Sequence, residues 1–406
     1  MPRRRITADP QFGARLRELR TAAGMSTRDF KTVSRAYVSQ LERGRPPTPE
    51  IAAALDRELG TTELSAMVHS EDAPTPPPPA EVDDELDAIE LGRRVSASDV
   101  GEETILRIEA AVDDLAIRYS LTPPAYLLGR VRRHLGYVGN LLDPGTRKTL
   151  TEHRRLLVAG AWLSLLGATL HIDLRQMSAA RARLVTAASM ANQAGHREIH
   201  AWCYETEAWS VLTDGDYRRA LELAQTAAEI APAGSSAQIQ ATAQQGRAWA
   251  RMGAQKETRG VLREVEAMVA NLPRPARPEH HYRYDPAKAN AYVATTLAWV
   301  GDPAAERYAR DVITGLRSAE EAGGWPRRVA AAQLDLGLAL VAAGKHDEAA
   351  ASAKAAIGSG RIVPSNHWRA LEVVRAVEDR QLPEAKDLRE AYEALRAGQV
   401  ALPSAD

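Results

Sequence analysis

Two histidines and one cysteine lie close together in the chain and are the residues best suited by type to metal or nucleophilic chemistry: His196, His200 and Cys203. On a helix the two histidines, four residues apart, share a face, as paired zinc ligands do. The intervening Arg-Glu-Ile does not place the glutamate as the zinc-protease motif H-E-x-x-H requires, and no third ligand is evident. We therefore favour surface helix histidines over a zinc site.

Cys203 is the only cysteine, which excludes an internal disulfide framework and favours a reducing cytoplasm as the compartment. Because it stands between Trp202 and Tyr204, it is predicted to be a small buried residue rather than a nucleophile. Neither a glycine-rich phosphate loop nor a Ser-His-Asp arrangement can be argued from spacing. We expect no catalytic residues, metal or cofactor, and we expect that the protein is not an enzyme.

The composition is typical of a soluble globular protein with two or three folded units. Of the 406 residues, 45% are apolar and 26% are charged. The net charge of −1 is unevenly spread, because residues 1–70 carry 12 basic and 8 acidic side chains, whereas residues 71–91 carry 8 acidic and no basic ones. The whole chain therefore has no global field that attracts nucleic acid or membranes.

Three zones differ in composition: a compact module over residues 1–70, an acidic, proline-rich linker over 71–98, and an Ala-, Leu- and Arg-rich helical region over 99–400. Alternating strand patterns are absent, which predicts an all-α protein. The longest uncharged stretch, Leu156–Ile172, is too short and too polar to span a bilayer. We predict a buried helix there and no membrane partner.

The N-terminal module is predicted to contain five short helices. Apolar residues recur at helical spacing over 12–19, and Gly24 closes that helix. Ser26 begins a brief second helix, Ser34 caps the third, and Thr48, followed by a proline, caps the fourth. Five small helices of this kind, two of them joined by a tight turn, are typical of a helix-turn-helix module.

The segment Ser34–Gly44, SRAYVSQLERG, closely resembles the recognition helix of the Cro-like (XRE) phage-repressor helix-turn-helix family. Residues 16–26 resemble that family's first helix and the start of its second, and the resemblance covers about residues 12–65. It implies that the third helix lies in the major groove of double-stranded DNA. It also implies an ion pair between Arg20 and Glu42 that braces the first helix against the third.

Position in that family implies which side chains contact DNA. Arg35, Ala36 and Gln40 would face base edges, where arginine pairs with guanine and glutamine with adenine. Arg43, Arg45 and the amide end of the second helix would contact phosphates. Taken singly, each arginine could equally be a solvated surface charge. The implied DNA-binding residues are Ser26, Thr27, Arg35, Ala36, Tyr37, Ser39, Gln40, Arg43 and Arg45.

The chain departs from the family between Phe30 and Val33, where only Lys31 and Thr32 stand. About three residues are missing there, close to one helical turn, so the core face is nearly kept. The spacing predicts that the second helix is reduced to a stub.

The helical region repeats at spacings of roughly 38–48 residues. The clearest units contain Gly215 and Gly344, and looser copies centre on Gly253 and Gly301. These units resemble tetratricopeptide repeats, with small residues where paired helices touch and a glycine at the turn. Stacking of such units implies a superhelix whose concave surface holds a peptide, a protein partner or a second copy of the chain.

Six side chains on two consecutive repeat helices are predicted to face the concave side. Packing between repeats is favoured over ligand binding for the two tryptophans among them. A long loop over residues 273–284 is either a lid or a spacer. The six candidate groove residues are Trp202, Glu205, Trp209, Gln240, Arg247 and Arg251.

Two functions follow as hypotheses. The first is a cytoplasmic transcription regulator that binds DNA as a homodimer and whose repeat domain binds a peptide, small-molecule or protein effector. The second is a repeat-based interaction scaffold with a vestigial helix-turn-helix module, which the shortened second helix and the modest positive charge favour. Only the first predicts DNA affinity that falls steeply with salt.

Overall fold

The computed structural model describes residues 6–70, 91–92, 95–270, 272, 277, 279–284, 286–320 and 326–400. The chain divides into two compact units, Met1–Arg94 and Val95–Asp406. The division falls inside the predicted linker over 71–98, most of which lies outside the described residues. Helices dominate both units, so the predicted all-α class is confirmed.

Four helices and one two-stranded ribbon make up the described part of the N-terminal unit. The helices are α1 (Phe12–Ala22), α2 (Arg35–Leu41), α3 (Pro49–Leu59) and α4 (Glu63–Ala66). The strands β1 (Ile6–Ala8) and β2 (Val68–Ser70) pair antiparallel, with Ala8 opposite Val68. Sequence analysis did not predict these strands, which are too short to show an alternating pattern.

The predicted second helix does not form, so the prediction of five helices is wrong for the described part of the module. Residues 23–34 contain turns and bends but no helix. The Ser26 N–H donates to the Asp29 carboxylate over 2.6 Å, and the Ser26 hydroxyl accepts from the Arg28 N–H over 3.3 Å. Such local side-chain bonds compete with a helical turn, and the shortened segment has no room to add another.

A carboxylate on α3 holds the segment that replaces the second helix. Glu58 accepts hydrogen bonds from the N–H groups of Lys31 and Thr32, over 2.7 and 2.8 Å. Phe30 is buried in the core of the unit although it is not helical. The segment is therefore fixed to the module by one apolar and one polar anchor.

The helices that do form carry the predicted signals. The Ser34 hydroxyl accepts from the Tyr37 N–H at the start of α2, and α3 begins with Pro49 and ends at Gly60, whose φ is +67°. The backbones of α1 and α2 approach so closely that a Cβ on Gly13 would lie 2.5 Å from the Leu41 carbonyl oxygen. Only glycine permits this contact.

The C-terminal unit consists of consecutive helices joined mostly by short turns. They are α5 (Glu102–Arg118), α6 (Pro124–Leu142), α7 (Leu150–Asp173), α8 (Met177–Gln193), α9 (Arg197–Thr213), α10 (Tyr217–Ile230), α11 (Ser236–Arg251), α12 (Gln255–Val269), α13 (Pro286–Trp299), α14 (Ala304–Glu320), α15 (Pro326–Ala342), α16 (His346–Gly358), a 3-10 turn (Pro364–Asn366), α17 (His367–Glu378) and α18 (Ala385–Val400).

From α7 onward each helix packs on the next, and the alternate helices α7, α9, α11, α13, α15 and α17 also pack on one another in order. These alternate helices therefore form one row, with the others outside it. The predicted repeat of stacked helix pairs is present, whereas the assignment to the tetratricopeptide class stays a prediction.

A shared turn geometry shows the repeat. Two positions after α7, α9, α11, α13 and α15 the backbone adopts a positive φ, at Arg175, Gly215, Gly253, Gly301 and Gly344 respectively. All four of the glycines were singled out from the sequence. The α7–α8 turn was not recognised because Arg175 occupies the left-handed conformation that glycine adopts at lower cost.

The helix α7 is the one described helix that is long and apolar enough to cross a membrane, but 89% of its most apolar window is buried inside the unit. It contains the stretch Leu156–Ile172, for which the sequence predicted a buried helix, and that prediction is confirmed. Its large leucines are at the centre of the unit's N-terminal core.

Candidate functional site

The first candidate site is the outward face of α2. Val38 and Leu41 are fully buried in the core of the N-terminal unit, so the opposite side of the helix is left to solvent. The side chains that α2 leaves exposed or half-buried are Arg35, Ala36, Tyr37, Ser39 and Gln40, all of them predicted DNA contacts.

Two exposed arginines follow α2 and contact its last turn. Arg45 donates to the side-chain carbonyl of Gln40, and its guanidinium lies 4.9 Å from the centre of the Tyr37 ring. The Arg43 Nε donates to the Ser39 carbonyl oxygen over 2.9 Å. The C-terminal end of α2 therefore carries two cations beside its exposed face, which is the arrangement needed to contact phosphates that flank a groove.

The predicted phosphate contact at the second helix has to be corrected. Because no helix begins at Ser26 and Thr27, no row of free amide groups is available there. The Ser26 N–H is already bonded to Asp29. Ser26 and Thr27 remain at the surface of a turn, and any contact they make with DNA would use their hydroxyl groups.

The Arg20–Glu42 ion pair implied by the resemblance is present. The Arg20 Nε lies 2.6 Å from Glu42 Oε1, and Arg17 approaches the same carboxylate at 3.4 Å. Arg20 also donates to the Met25 carbonyl oxygen over 2.8 Å. The Glu42 side chain is only 7% exposed. This one carboxylate thus ties α1 and the turn after it to the end of α2.

The second candidate site is a cavity of about 260 Å³ inside the C-terminal unit. Its wall comes mainly from the row of alternate helices. Five of the six predicted groove residues line it, and the exception is Arg251. The five are Trp202, Glu205, Trp209, Gln240 and Arg247.

Arg251 packs beside the cavity in a cage of other side chains. It forms an ion pair with Glu372 at 2.8 Å and donates to the Tyr217 hydroxyl over 2.8 Å. Its guanidinium lies just over 5 Å from the ring centres of Trp299 and Trp368. These contacts assign Arg251 to packing between repeats.

A buried hydrogen-bonded group forms one wall of the cavity. Gln240 donates over 2.8 Å to the Glu205 carboxylate and also contacts the Tyr292 hydroxyl. Burial raises the pKa of Glu205 to about 7, although the bond from Gln240 and the charge of Arg247 act in the opposite direction. The Glu205 carboxyl therefore changes charge near neutral pH.

Two buried arginines face this group from α11 and α17. The Arg247 guanidinium lies 5.3 Å from the centre of the Tyr292 ring, and its Nη1 donates to Gln244 over 3.2 Å. Arg369 pairs with Asp335 on α15. Burial, and then the charge of Arg247, lower the pKa of Arg369 to about 9, so Arg369 remains cationic at neutral pH.

Sequence analysis did not find Lys288, Arg328, Asp335 or Arg369 as cavity residues. Lys288 lies on α13 in a looser copy of the repeat, Arg328 and Asp335 lie on α15 in the clear unit that contains Gly344, and Arg369 lies on α17 beyond that unit. One signal could have located those on α13 and α15: counting back from the turn glycines Gly301 and Gly344 aligns these helices with α9 and α11 and shows which positions face inward.

The segment 279–284 is part of the cavity wall and of the core; residues 273–276 and 278 of the predicted loop lie outside the described residues. Tyr282 is buried, with its ring centre 4.9 Å from that of Trp162 and 5.3 Å from that of Trp202. His281 donates its backbone N–H to the Ala116 carbonyl oxygen over 3.2 Å. The described part of the loop is therefore packed against α5, which favours a fixed wall over a simple spacer.

The residues considered first for metal or nucleophilic chemistry have structural surroundings. His196 caps α9, where its Nδ1 accepts the Ile199 N–H over 3.3 Å. Cys203 is buried, and this raises the pKa of its thiol to about 12. Trp202 belongs to the apolar core as well as to the cavity wall, as the packing interpretation predicts.

Stability should depend on pH through Glu205. Its pKa is about 7 in the folded state against 4.5 ordinarily, so the folded state binds more protons between these values. The contribution of Glu205 to the free energy of unfolding therefore falls as pH rises from 4.5 to 7, by about 3 kcal/mol, and is constant above that.

The measurement is urea unfolding of wild type and Glu205→Gln at pH 5 and pH 8. The glutamine at position 205 still accepts the bond from Gln240 but carries no charge. The stability of Glu205→Gln relative to wild type should therefore increase by about 2.5 kcal/mol from pH 5 to pH 8. His280, whose pKa burial lowers to about 4, acts in the opposite direction in both proteins and cancels in the difference. A difference that is constant with pH would contradict the prediction.

Comparison with known proteins identifies the N-terminal module. Residues 11–66 match the sequence model of a family described as a helix-turn-helix domain. No curated protein matches the chain significantly. Among solved structures, the chain is similar to Bacillus thuringiensis PlcR, crystallised in complex with the peptide PapR7 and DNA, at 12% identity over 64% of this chain and 94% of that one, with a TM-score of 0.27. That similarity is too loose to support a conclusion about ligands.

Proposed function

We propose that this chain is a cytoplasmic transcription regulator of the Cro-like (XRE) type, without enzymatic activity, that binds operator DNA as a homodimer. The C-terminal unit, a helical repeat of the tetratricopeptide kind, would dimerise and bind an effector, a peptide, a small molecule or a protein, in its cavity. The observation that carries the proposal is the exposed face of α2, with Arg35 and Gln40, inside a helix-turn-helix domain.

The spacing of Arg35 and Gln40 suits base readout. They are five positions apart on α2, which is about 7.5 Å along the helix axis. This is close to two base-pair steps of about 3.4 Å each. One module offers few such contacts, so two modules on neighbouring half-sites would be needed for specific affinity.

The test is fluorescence anisotropy of the full chain with duplexes that the protein itself selects from a random pool, at several salt concentrations. Arg35→Ala and Gln40→Ala should each weaken the binding of the selected duplexes by about 5- to 150-fold, because each substitution removes hydrogen bonds to a base edge. Arg57→Ala, an exposed arginine on α3, is the control of equal charge change and should have a smaller effect.

The alternative function, a scaffold with a vestigial module, is favoured by the absence of a second helix between residues 23 and 34. It predicts that no sequence is enriched and that Arg35→Ala and Arg57→Ala weaken residual binding equally. Either result would exclude the regulator in favour of the scaffold.

A further inference from the structure

We infer that the cavity formed by α9, α11, α13, α15 and α17 binds a compact organic anion, an aromatic ring that carries a carboxylate or phosphate group, with Arg247 as the main contact of the acid group. The inference rests on the proposed function only in treating the cavity as the effector site.

The wall of the cavity carries an excess of positive charge. Its described lining residues include the cations Arg247, Lys288, Arg328 and Arg369 against the carboxylates Glu205 and Asp335. An excess of cations among buried side chains is unfavourable for the empty protein and is relieved by a bound anion.

The cations differ in what they bind within the protein. Lys288 donates its ammonium hydrogens to the backbone carbonyls of His280, His281 and Arg283, and Arg369 pairs with Asp335. The hydrogen-bonding capacity of Lys288 is therefore largely used in holding the wall together, and the charge of Arg369 is balanced by a carboxylate.

Arg247 has no comparable partner. It is 7% exposed, its Nη1 donates to the neutral Gln244 over 3.2 Å, and its guanidinium lies 5.3 and 5.1 Å from the ring centres of Tyr292 and Trp299. No carboxylate among the described residues forms an ion pair with it. Its Nε has no hydrogen-bond partner. A buried guanidinium in this state is normally matched by an anion, so an acid group in the cavity would supply the missing acceptor.

A second donor in the same wall is also unmatched. The indole Nε1 of Trp202, a residue that is 4% exposed, has no hydrogen-bond partner. Arg247 and Trp202 come from neighbouring helices of the inner row, α11 and α9, and both line the cavity. The cavity is thus lined by a cationic and an aromatic side chain from neighbouring helices, which suits a ligand that has both an acid group and a ring.

Size and wall chemistry describe the rest of the ligand. A cavity of about 150 Å³ accommodates benzene, so one of about 260 Å³ has room for roughly 10 to 15 non-hydrogen atoms. Part of the wall is apolar, with Val312, Leu316, Ala331 and Ala332, against which a ring can pack.

The experiment titrates the full chain, without DNA, with four probes of nearly equal size and follows its tryptophan fluorescence. The probes are the anions phenylacetate and phenyl phosphate, the neutral phenylacetamide and the cation phenethylamine. Both anions should bind with a dissociation constant of about 1 mM or tighter, and at least about tenfold tighter than the other two. The order of the two anions then identifies the acid group as carboxylate or phosphate.

Variants connect the binding to Arg247. Arg247→Met keeps most of the length and the apolar contact of the side chain but removes its charge. It should weaken the binding of both anions about tenfold or more and leave the affinity for phenylacetamide unchanged. Arg247→Lys keeps the charge and should retain part of the preference for anions. Arg218→Met, at an exposed position on α10, is the matched control and should leave all four titrations unchanged.

Three results would overturn the inference: equal affinity for phenylacetate and phenylacetamide, tighter binding of phenethylamine, or no binding of either anion at about 10 mM. None of them depends on DNA. If the protein selects DNA but does not bind the anions, only this inference is wrong. If it binds the anions but selects no DNA, only the proposal of a transcription regulator is wrong.

Discussion

Asp173→Ala should destabilise the C-terminal unit by about 3–5 kcal/mol. Asp173 ends α7 and is 1% exposed; its carboxylate accepts from Arg327 on α15 over 2.5 Å and from the Ser365 hydroxyl over 3.1 Å. Arg327 also lies 4.5 Å from the centre of the Tyr119 ring. Removing the carboxylate leaves a buried guanidinium without an anion and breaks the link between α7 and α15.

The measurement is denaturant unfolding followed by tryptophan fluorescence, which reports on this unit because all seven tryptophans lie at or after Trp162. Asp214→Ala is the control. Asp214 pairs with Arg175, both side chains are over 40% exposed, and such surface pairs contribute little to the free energy of unfolding. The double variant Asp173→Leu/Arg327→Met should recover most of the loss, since it removes the stranded charge. Equal effects of Asp173→Ala and Asp214→Ala would contradict the account.

Glu42→Ala should destabilise the N-terminal unit by roughly 2–3 kcal/mol, slightly below the value for a fully buried pair, because Arg20 keeps its bond to the Met25 carbonyl. Glu42 is the shared acceptor of Arg17 and Arg20, so its loss unties α1 from the end of α2. Units of about 65 residues are marginally stable, and this loss is a large share of the total.

Amide hydrogen exchange over residues 12–22 and 35–41 of the full chain measures this effect. Exchange in both helices should accelerate about 30- to 150-fold, the factor that corresponds to 2–3 kcal/mol. Glu18→Ala is the control, since Glu18 is 68% exposed and pairs only across the surface with Arg15. If both variants exchange like wild type, Glu42 does not brace the module.

Much of the N-terminal unit was determined by local sequence. The hydroxyl caps at Ser34 and Thr48, the proline at the start of α3 and the glycine after it act within a few residues, so their effect can be predicted without the fold. The exposed residues of α2 follow from the same helical spacing that buries Val38 and Leu41. The absence of the second helix was not predicted, because the Glu58 carboxylate that accepts from the Lys31 and Thr32 N–H groups comes from a different part of the chain.

In the C-terminal unit the sequence determined the helices, the period of the repeat and which face of α9 and α11 turns inward. The periodic burial of small and apolar residues encodes these features locally, and five of the six predicted groove residues do line the cavity. Only the tertiary structure decided that Arg369 and Asp335 join them, that Arg251 does not, and that Asp173 meets Arg327. Those contacts depend on the accumulated rotation from one helix pair to the next, which no local pattern specifies and which packing across the whole unit sets.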